Sequence, residues 1–237
     1  MPGIFHGTTD ILPGKLKRGA GDIQSVYRGS TKIWPGIPIW SYNGGGAAGA
    51  AGTVNVNQNF GTAAANRVVV VVLSVHNGDP AFLQGPVSIG GIPATTIMLT
   101  SPGSRIAIGI FAAAVPNGTQ GIVSFKTANS SDYYTVDTYS VYGVPVIPQY
   151  FVNDTVLPMS QPTVAASFCL AAAQNWMQAS GTLGSWAPPF IQRSRWSPQG
   201  TCTTATYDGG AVVTCSIPMT QPQSWSMNMM LACWRLQ

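Results

Sequence analysis

The chain has no glutamate, and only 8% of its 237 residues are charged, whereas an average soluble domain carries roughly 25%. Lysine occurs at four positions only, 15, 17, 32 and 126. Glutamate and lysine usually cover helix surfaces, so their scarcity argues against long helices. With 27 Gly and 18 Pro between runs of Val, Ile, Thr and aromatic residues, the composition predicts an all-β protein of many short strands.

Residues that carry chemistry are also scarce. The two His and four Cys lack the spacing of a zinc site, and no G-x-S-x-G elbow occurs. The glycine run at 44–49 is not followed by the helix and acidic residue of a dinucleotide site. Asp132 and Asp137, the closest carboxylate pair on one predicted strand or its edge, would face opposite sides of that strand. We therefore expect no catalytic, metal-binding or cofactor-binding residues.

Targeting signals are not evident in the sequence. The first residues lack the basic start and apolar core of a signal peptide, and no run reaches the roughly 20 apolar residues of a membrane helix. We expect a protein that is made in a cytoplasm and does not insert into a membrane.

Positive charge is concentrated at the N-terminal end. Residues 1–35 hold five basic and two acidic groups, a net +3, while the other 202 residues hold six basic and five acidic groups, a net +1. This distribution predicts a basic leader over residues 1–36 that contacts an acidic protein surface. Nucleic acid is a less favoured partner, because five charges without a helix or interleaved aromatics make a weak footprint.

A short hairpin is predicted within this leader, over Ile23–Pro35. Its sequence, IQSVYRGSTKIWP, has alternating polarity, then turn residues at Arg28-Gly29-Ser30, then β-formers at Thr31–Trp34. Two strands alone are marginally stable, so the hairpin needs a host surface. It either docks on another subunit or is the first hairpin of the main domain.

The hairpin resembles a leader of the form VY-x-GSTK-x-W that is common in structural proteins of tailed bacteriophages and prophages. Ser25–Tyr27 and Gly29–Trp34 carry the match, and Arg67–Tyr142 is more loosely similar to modules of the same proteins. The resemblance implies a non-enzymatic virion protein, such as a head decoration, a collar or a tail or fibre appendage. It implies other virion proteins as partners, a homo-oligomer, and docking through leader residues Lys15, Lys17, Arg18, Tyr27, Arg28, Lys32 and Trp34.

A jelly-roll-like β-sandwich is predicted over residues 37–237. The run Val68–Leu73 is apolar on both faces and indicates a central strand, whereas Gly44–Gly52 is interpreted as a flexible loop. The proline-rich stretch at 144–162 leaves open a boundary between two sub-domains.

The four cysteines suggest one disulfide. If Asp208-Gly209 forms a two-residue turn, Cys202 lies opposite Cys215 at a separation that a disulfide can span. A turn one residue later would break this pairing, and two reduced thiols are the alternative expected in a cytoplasm. Cys169 and Cys233 are predicted to be buried as small hydrophobic residues.

Aromatic and arginine side chains offer a candidate recognition surface. Trp186, Arg193, Arg195 and Trp196 could stack on a host-surface glycan or anchor a protein partner, or the tryptophans could fill the space between sheets. A carbohydrate- or receptor-binding adhesin is therefore the second hypothesis for function. A small cell-wall glycan hydrolase is the third.

Overall fold

The computed structural model describes the side chains of residues 38–49, 52–76, 85–100, 106–127, 133–153, 160–165, 167–175, 183–197, 201–209, 211–218 and 228–236. It also describes the backbone of some further strand segments. Every regular element in these parts of the chain is a β-strand, and the ladders are antiparallel. The all-β prediction is confirmed.

Six short strands lie within the first 37 residues. They pair as β1 (Phe5–His6) with β2 (Thr9–Asp10), β3 (Lys17–Arg18) with β4 (Gly21–Asp22), and β5 (Val26–Arg28) with β6 (Thr31–Trp34). The last pair overlaps the predicted hairpin. The side chains of this region lie outside the described residues, and so do the docking contacts predicted for Lys15, Lys17, Arg18, Tyr27, Arg28, Lys32 and Trp34.

Residues 39–142 form two sheets. The strands are β7 (Ile39–Gly49), β8 (Gly52–Asn59), β9 (Arg67–His76), β10 (Ser88–Ile89), β11 (Ile92–Pro93), β12 (Thr95–Thr100), β13 (Ile106–Ala114), β14 (Gln120–Thr127) and β15 (Tyr133–Tyr142). Sheet I has the order β11-β10-β14-β8, and sheet II has the order β12-β13-β9-β15-β7.

Residues 150–234 form a third large sheet and two small ladders. The strands are β16 (Tyr150–Asp154), β17 (Met159–Pro162), β18 (Ser167–Trp176), β19 (Thr182–Leu183), β20 (Ile191–Trp196), β21 (Gly200–Gly209), β22 (Thr214–Ile217), β23 (Met219–Thr220) and β24 (Met227–Trp234). Sheet III has the order β16-β24-β18-β21-β20, while β17 pairs with β22 and β19 with β23. The sheets thus divide the chain between β15 and β16, at the proline-rich stretch.

The sheets stack in layers, with a hydrophobic core at each junction. One core lies between sheets I and II, a second between sheets II and III, and a third between sheet III and the small ladders. Sheets II and III are therefore covered on both faces. Strand β9 is buried along its whole length, as the run Val68–Leu73 predicts for a central strand.

The two halves of the chain repeat one strand order. Sheet II read as β12-β13-β9-β15-β7 corresponds to sheet III read as β20-β21-β18-β24-β16, and the β14–β8 pair corresponds to β22–β17. Even the irregularities agree. The ladder shifts between Thr96 and Met98 in β12 and, at the same place, between Gln192 and Ser194 in β20.

The shared bulge fixes which residues correspond. It equates Met98 with Ser194, and the ladders then equate Val72 with Ala172 and Asp137 with Met230. Along the three central strands of each sheet, none of the corresponding residues is identical. The repeat is one of backbone topology, which side-chain patterns alone do not show.

The two halves pack face to face through a pseudo-twofold arrangement. Edge strand β7 of the first half lies against β20 of the second, and edge strand β12 of the first lies against β16 of the second. These are corresponding pairs of strands, exchanged between the halves. The molecule consequently has two equivalent crossings, one at each edge of the interface between sheets II and III.

The glycine run predicted as a flexible loop is instead part of an edge strand. Residues of β7 pair one by one with β15, with Gly44 opposite Thr138 and Gly45 opposite Asp137. A side chain at Gly45 would overlap the Asp137 carboxylate, so the position requires glycine. The loop prediction was wrong because composition does not show that buried β15 needs a backbone partner here.

The predicted Cys202–Cys215 hairpin is also wrong. Strand β21 pairs with β18 and β20, whereas β22 pairs with β17 in a different layer. Cys202 lies in the core between sheets II and III, and Cys215 lies in the core beyond sheet III. All four thiols are free. The chain crosses between layers after Gly209 instead of turning back in one sheet.

A buried arginine closes one end of the first half. Arg67 has no exposed surface, and its guanidinium donates five hydrogen bonds of 2.7–3.0 Å to backbone carbonyls of Phe60, Gly61, Val115, Asn117 and Gly118. These bonds use all the donors of the group. Arg67 thereby ties together the loops that precede β9 and follow β13.

We expect Leu73→Ala to lower the free energy of unfolding by about 2–5 kcal/mol, because Leu73 is fully buried between sheets I and II. Leu99→Ala is the matched control, since Leu99 is exposed on edge strand β12; its effect should stay within about 0.5 kcal/mol. Urea unfolding of both variants measures the difference. Equal losses would contradict the layered core.

Candidate functional site

A buried carboxylate lies at the crossing of β7 and β20. Asp137 is in the middle of β15 and has no exposed surface. Its side chain points toward sheet III, because it shares a strand face with Tyr139 and Val141 of the core between the sheets. An aspartate in such a position must be fully hydrogen-bonded to be tolerated.

Three neutral side chains supply those bonds. Ser194 Oγ donates to Oδ2 at 2.7 Å, Tyr42 OH donates to Oδ1 at 3.0 Å, and Trp196 Nε1 lies 3.2 Å from both oxygens. Ser194 and Trp196 are on β20 of the second half, whereas Tyr42 is on β7 of the first. The carboxylate therefore joins the two halves directly.

The network continues into the core through a threonine. Thr204 Oγ1 accepts a 2.6 Å bond from Tyr139 OH and lies 2.6 Å from Ser194 Oγ. All three side chains are buried. Hydroxyls of both sheets thus form one connected chain that ends at Asp137.

Two bulges, one on each edge strand, bring these groups together. The ladder between β7 and β15 shifts by one residue at Asn43, and that between β20 and β21 shifts at Arg193. An extra residue in a strand re-aims the side chains beside it. The bulge in β7 places both Tyr42 and Gly45 on the face of Asp137, and Gly45 leaves room for the carboxylate.

The equivalent crossing at the opposite edge lacks the carboxylate, and Thr100 corresponds there to Trp196. There Asp137 is replaced by Met230, Ser194 by Met98 and Thr204 by Ile110, and all three replacements belong to the same hydrophobic core. The two crossings share the bulge of β12 and β20, whereas the bulge in β7 has no counterpart in the β16–β24 ladder. The carboxylate thus accompanies the crossing that has a bulge in both edge strands.

Burial dominates the electrostatics of this crossing. Desolvation raises the pKa of Asp137, and the hydrogen bonds from Ser194, Trp196 and Tyr42 offset only part of that rise. Burial and the nearby carboxylate raise the pKa of Tyr42 as well. The cluster holds a proton or a negative charge in a closed space, and its donors already occupy both oxygens of the carboxylate.

The structure brings two of the four predicted recognition residues to this crossing. Trp196 donates to Asp137, and the Arg193 guanidinium lies 4.8 Å from the centre of the Trp40 ring while its Nε donates to Thr206 at 2.7 Å. Trp40 Nε1 donates to Asp208 at 3.1 Å. These side chains form internal contacts between the halves.

The other two predicted recognition residues lie elsewhere. Trp186 is buried in the core beyond sheet III, where its Nε1 donates to Thr203 at 3.2 Å, so its placement on a recognition surface was wrong. The prolines and glycines around Trp186 suggested an exposed loop, but its ring is needed to fill the core between sheet III and the small ladders. Arg195 is exposed and donates to the carbonyls of Leu183 and Gly184.

Sequence reasoning missed Asp137 as the centre of the site. It considered this aspartate only as a possible catalytic partner of Asp132, which lies outside the described residues, and rejected that pair. The available signal was a lone acid between apolar and aromatic residues in TVDTYSV, where strand alternation places Asp137 on the face of Tyr139. Its partners on β7 and β20 could not be found without the pairing of the strands.

A second buried polar cluster lies where β9 and β18 end. His76 Nε2 is 2.9 Å from Ser74 Oγ and 3.2 Å from Gln174 Nε2, and all three side chains are fully buried. Asn228 Nδ2 donates to Thr100 at 3.4 Å. Among the described residues, the amide oxygens of Gln174 and Asn228 have no hydrogen-bond partner. This cluster joins sheets II and III as the Asp137 crossing does.

We expect stability to fall as the pH drops from about 6.5 toward 4 because of His76. Burial lowers the pKa of His76 from 6.5 to about 4, so the unfolded chain takes up a proton in this range while the folded protein does not. The loss is roughly 1.4 kcal/mol for each pH unit. Urea unfolding between pH 4 and 7 measures it.

The variant His76→Gln is the control for this slope. It should lose less stability than the wild type between pH 6.5 and 4. Asp137 acts in the opposite sense, because a raised carboxyl pKa adds stability at low pH that is lost as the pH rises, but it is common to both proteins. Parallel pH profiles would contradict the role of His76.

We expect Asp137→Leu to lower the free energy of unfolding by about 3–5 kcal/mol, because Leu keeps the branching of Asp but leaves buried donors without an acceptor. Met230→Leu at the equivalent crossing is the matched control and should cost less than about 1.5 kcal/mol. Denaturant unfolding compares the two. Similar costs at both positions would show that the polar crossing contributes nothing specific.

Within the described parts of the chain, no group of three or more His, Cys or acidic residues could hold a metal ion. The same residues include no helix long and apolar enough to cross a membrane. Comparison with family models, curated proteins and solved structures gives no match to this chain.

Proposed function

We propose that this chain is a structural or accessory protein of a tailed phage particle, without enzymatic activity, that docks through its leader at residues 1–36. The observation that carries the proposal is the VY-x-GSTK-x-W pattern at Val26–Trp34. The position on the particle would be the head surface, the collar or the tail. The protein would reach it from the host cytoplasm in which it is made.

The stacked sheets support a structural role in the particle. The jelly-roll-like β-sandwich expected for residues 37–237 is part of this proposal, and its two halves share a core through sheets II and III. The described strands carry few charged side chains. A protein of this kind suits a repeated position in an assembly, where it must hold a shape.

The complete burial of Asp137 disfavours the third hypothesis, a glycan hydrolase. A glycosidase needs two carboxyl groups that reach the scissile bond, whereas Asp137 has no exposed surface and three donors on its oxygens. The adhesin hypothesis is also weakened, because Trp186 is buried and Trp196 is bonded internally. Specific binding of the purified protein to glycans on an array would support the adhesin hypothesis again.

Exposed apolar side chains support self-association. Large hydrophobic residues are exposed on all four edge strands of sheets II and III, namely Ile39 on β7, Leu99 on β12, Phe151 on β16 and Ile191 on β20. Edge strands with apolar side chains are favourable places for pairing with another chain. We include a homo-oligomer in the proposal on this ground.

Deletion of residues 1–36 should abolish incorporation into the particle and leave the thermal unfolding of the remaining protein cooperative. The leader supplies the proposed docking contacts, whereas the cores consist of later residues. Copy number per purified particle, counted by quantitative mass spectrometry after complementation, measures incorporation. Undiminished incorporation of the truncated protein would contradict docking through the leader.

Charge reversal gives a milder version of this test with a matched control. The double variant Lys15→Asp/Lys32→Asp should reduce incorporation, because it makes the basic leader acidic, whereas Lys126→Asp outside the leader should not. Lys126 is exposed on β14. Equal effects of both changes would indicate a general dependence on net charge instead of docking by the leader.

A further inference from the structure

Two cysteines face each other across the centre of sheet III. Cys169 on β18 and Cys233 on β24 are direct partners in the antiparallel ladder. Their Sγ atoms are 2.7 Å apart, closer than the about 3.5–4.0 Å of an ordinary non-bonded contact between carbon atoms. Directly opposed residues have Cα atoms about 4.5–5.5 Å apart, a range that a disulfide spans without moving the backbone.

We propose that Cys169 and Cys233 form a cross-strand disulfide by exchange with a low-molecular-weight disulfide. One new S–S bond forms in the protein and the S–S bond of the oxidant breaks. The two cysteine protons end on the two thiols released from the oxidant, which takes up the two electrons. Both sulfurs are buried, so exchange takes place when the β18–β24 ladder opens locally.

In the closed ladder the two thiols differ in acidity. The contact between the two sulfurs lowers the pKa of the Cys169 thiol and raises that of the Cys233 thiol, and Ser167 Oγ lies 3.1 Å from the Cys169 sulfur. A thiolate, not a thiol, attacks a disulfide. Once the ladder opens, one of the two sulfurs forms the mixed disulfide as its thiolate, and the other then displaces the second half of the oxidant.

The other two cysteines are poorer candidates. Cys202 lies on the opposite face of sheet III, and burial raises the pKa of its thiol to about 12. Cys215 shares the outer core with the pair but belongs to β22, which has no ladder with β18 or β24. Burial raises the pKa of its thiol too.

The bond would fasten β24 to the central strand of its sheet. It would link residues 64 positions apart and would restrict the unfolded chain, which is how a disulfide stabilises a fold. The same strand β24 carries Met230 and Trp234 of the core between sheets II and III. Oxidation would thus stabilise both cores that sheet III contributes to.

The test uses the full-length protein incubated with oxidised glutathione, then alkylated under denaturing conditions and mapped as non-reduced peptides. We expect the intact mass before alkylation to fall by two hydrogen atoms. The peptide map should then show Cys169 joined to Cys233, with Cys202 and Cys215 alkylated. Thermal unfolding should shift to higher temperature on oxidation and return on reduction. Cys215→Ser should keep both effects, and Cys233→Ser should lose both.

Two results would overturn the proposal. One is the recovery of four alkylated thiols from the treated wild-type protein, and the other is a bond that includes Cys202 or Cys215. Both are read from the wild type, so the conclusion does not depend on whether Cys233→Ser folds. Neither depends on the proposed role in a phage particle, which the incorporation experiments test separately.

Discussion

The face-to-face packing of sheets II and III is the constraint on which the rest of the structure depends. Because both sheets are covered on both faces, their central strands have few positions where a charged side chain could reach water. This accounts for the small number of charges and for the uniform burial of β9. Arg67 and Asp137 are buried exceptions, and each is surrounded by hydrogen-bond partners.

The repeated topology makes the polar crossing informative. The same bulge and the same strand contacts occur at both edges of the interface, yet Asp137 occupies one crossing and Met230 the other. We interpret the carboxylate as a group that allows one alignment of the two sheets, because any other would leave it buried without partners. The two halves therefore differ in the side chains that they place at the crossings, although their strand orders correspond.

The sequence predicted features that depend on local composition. Valine-rich β9 and the strand Ile106–Ala114 follow from β-branched and apolar runs, and the β5–β6 pair overlaps the predicted hairpin. Features that depend on pairing over long distances were not predictable. Gly45 lies in a strand because β7 pairs with β15, and the position requires glycine because the Asp137 carboxylate is opposite it. The Cys169–Cys233 contact and the repeat of topology follow from ladders that no residue pattern shows.

Because the two halves share one core, we expect them to unfold as a single unit. Native-state amide hydrogen exchange across a series of low denaturant concentrations tests it most directly, because it gives an opening free energy for each strand. We expect the same highest opening free energy, with the same denaturant dependence, for amides of β9 in the first half and β18 in the second. Opening of β18 at markedly lower free energy than β9 would contradict it, since the halves would then unfold separately.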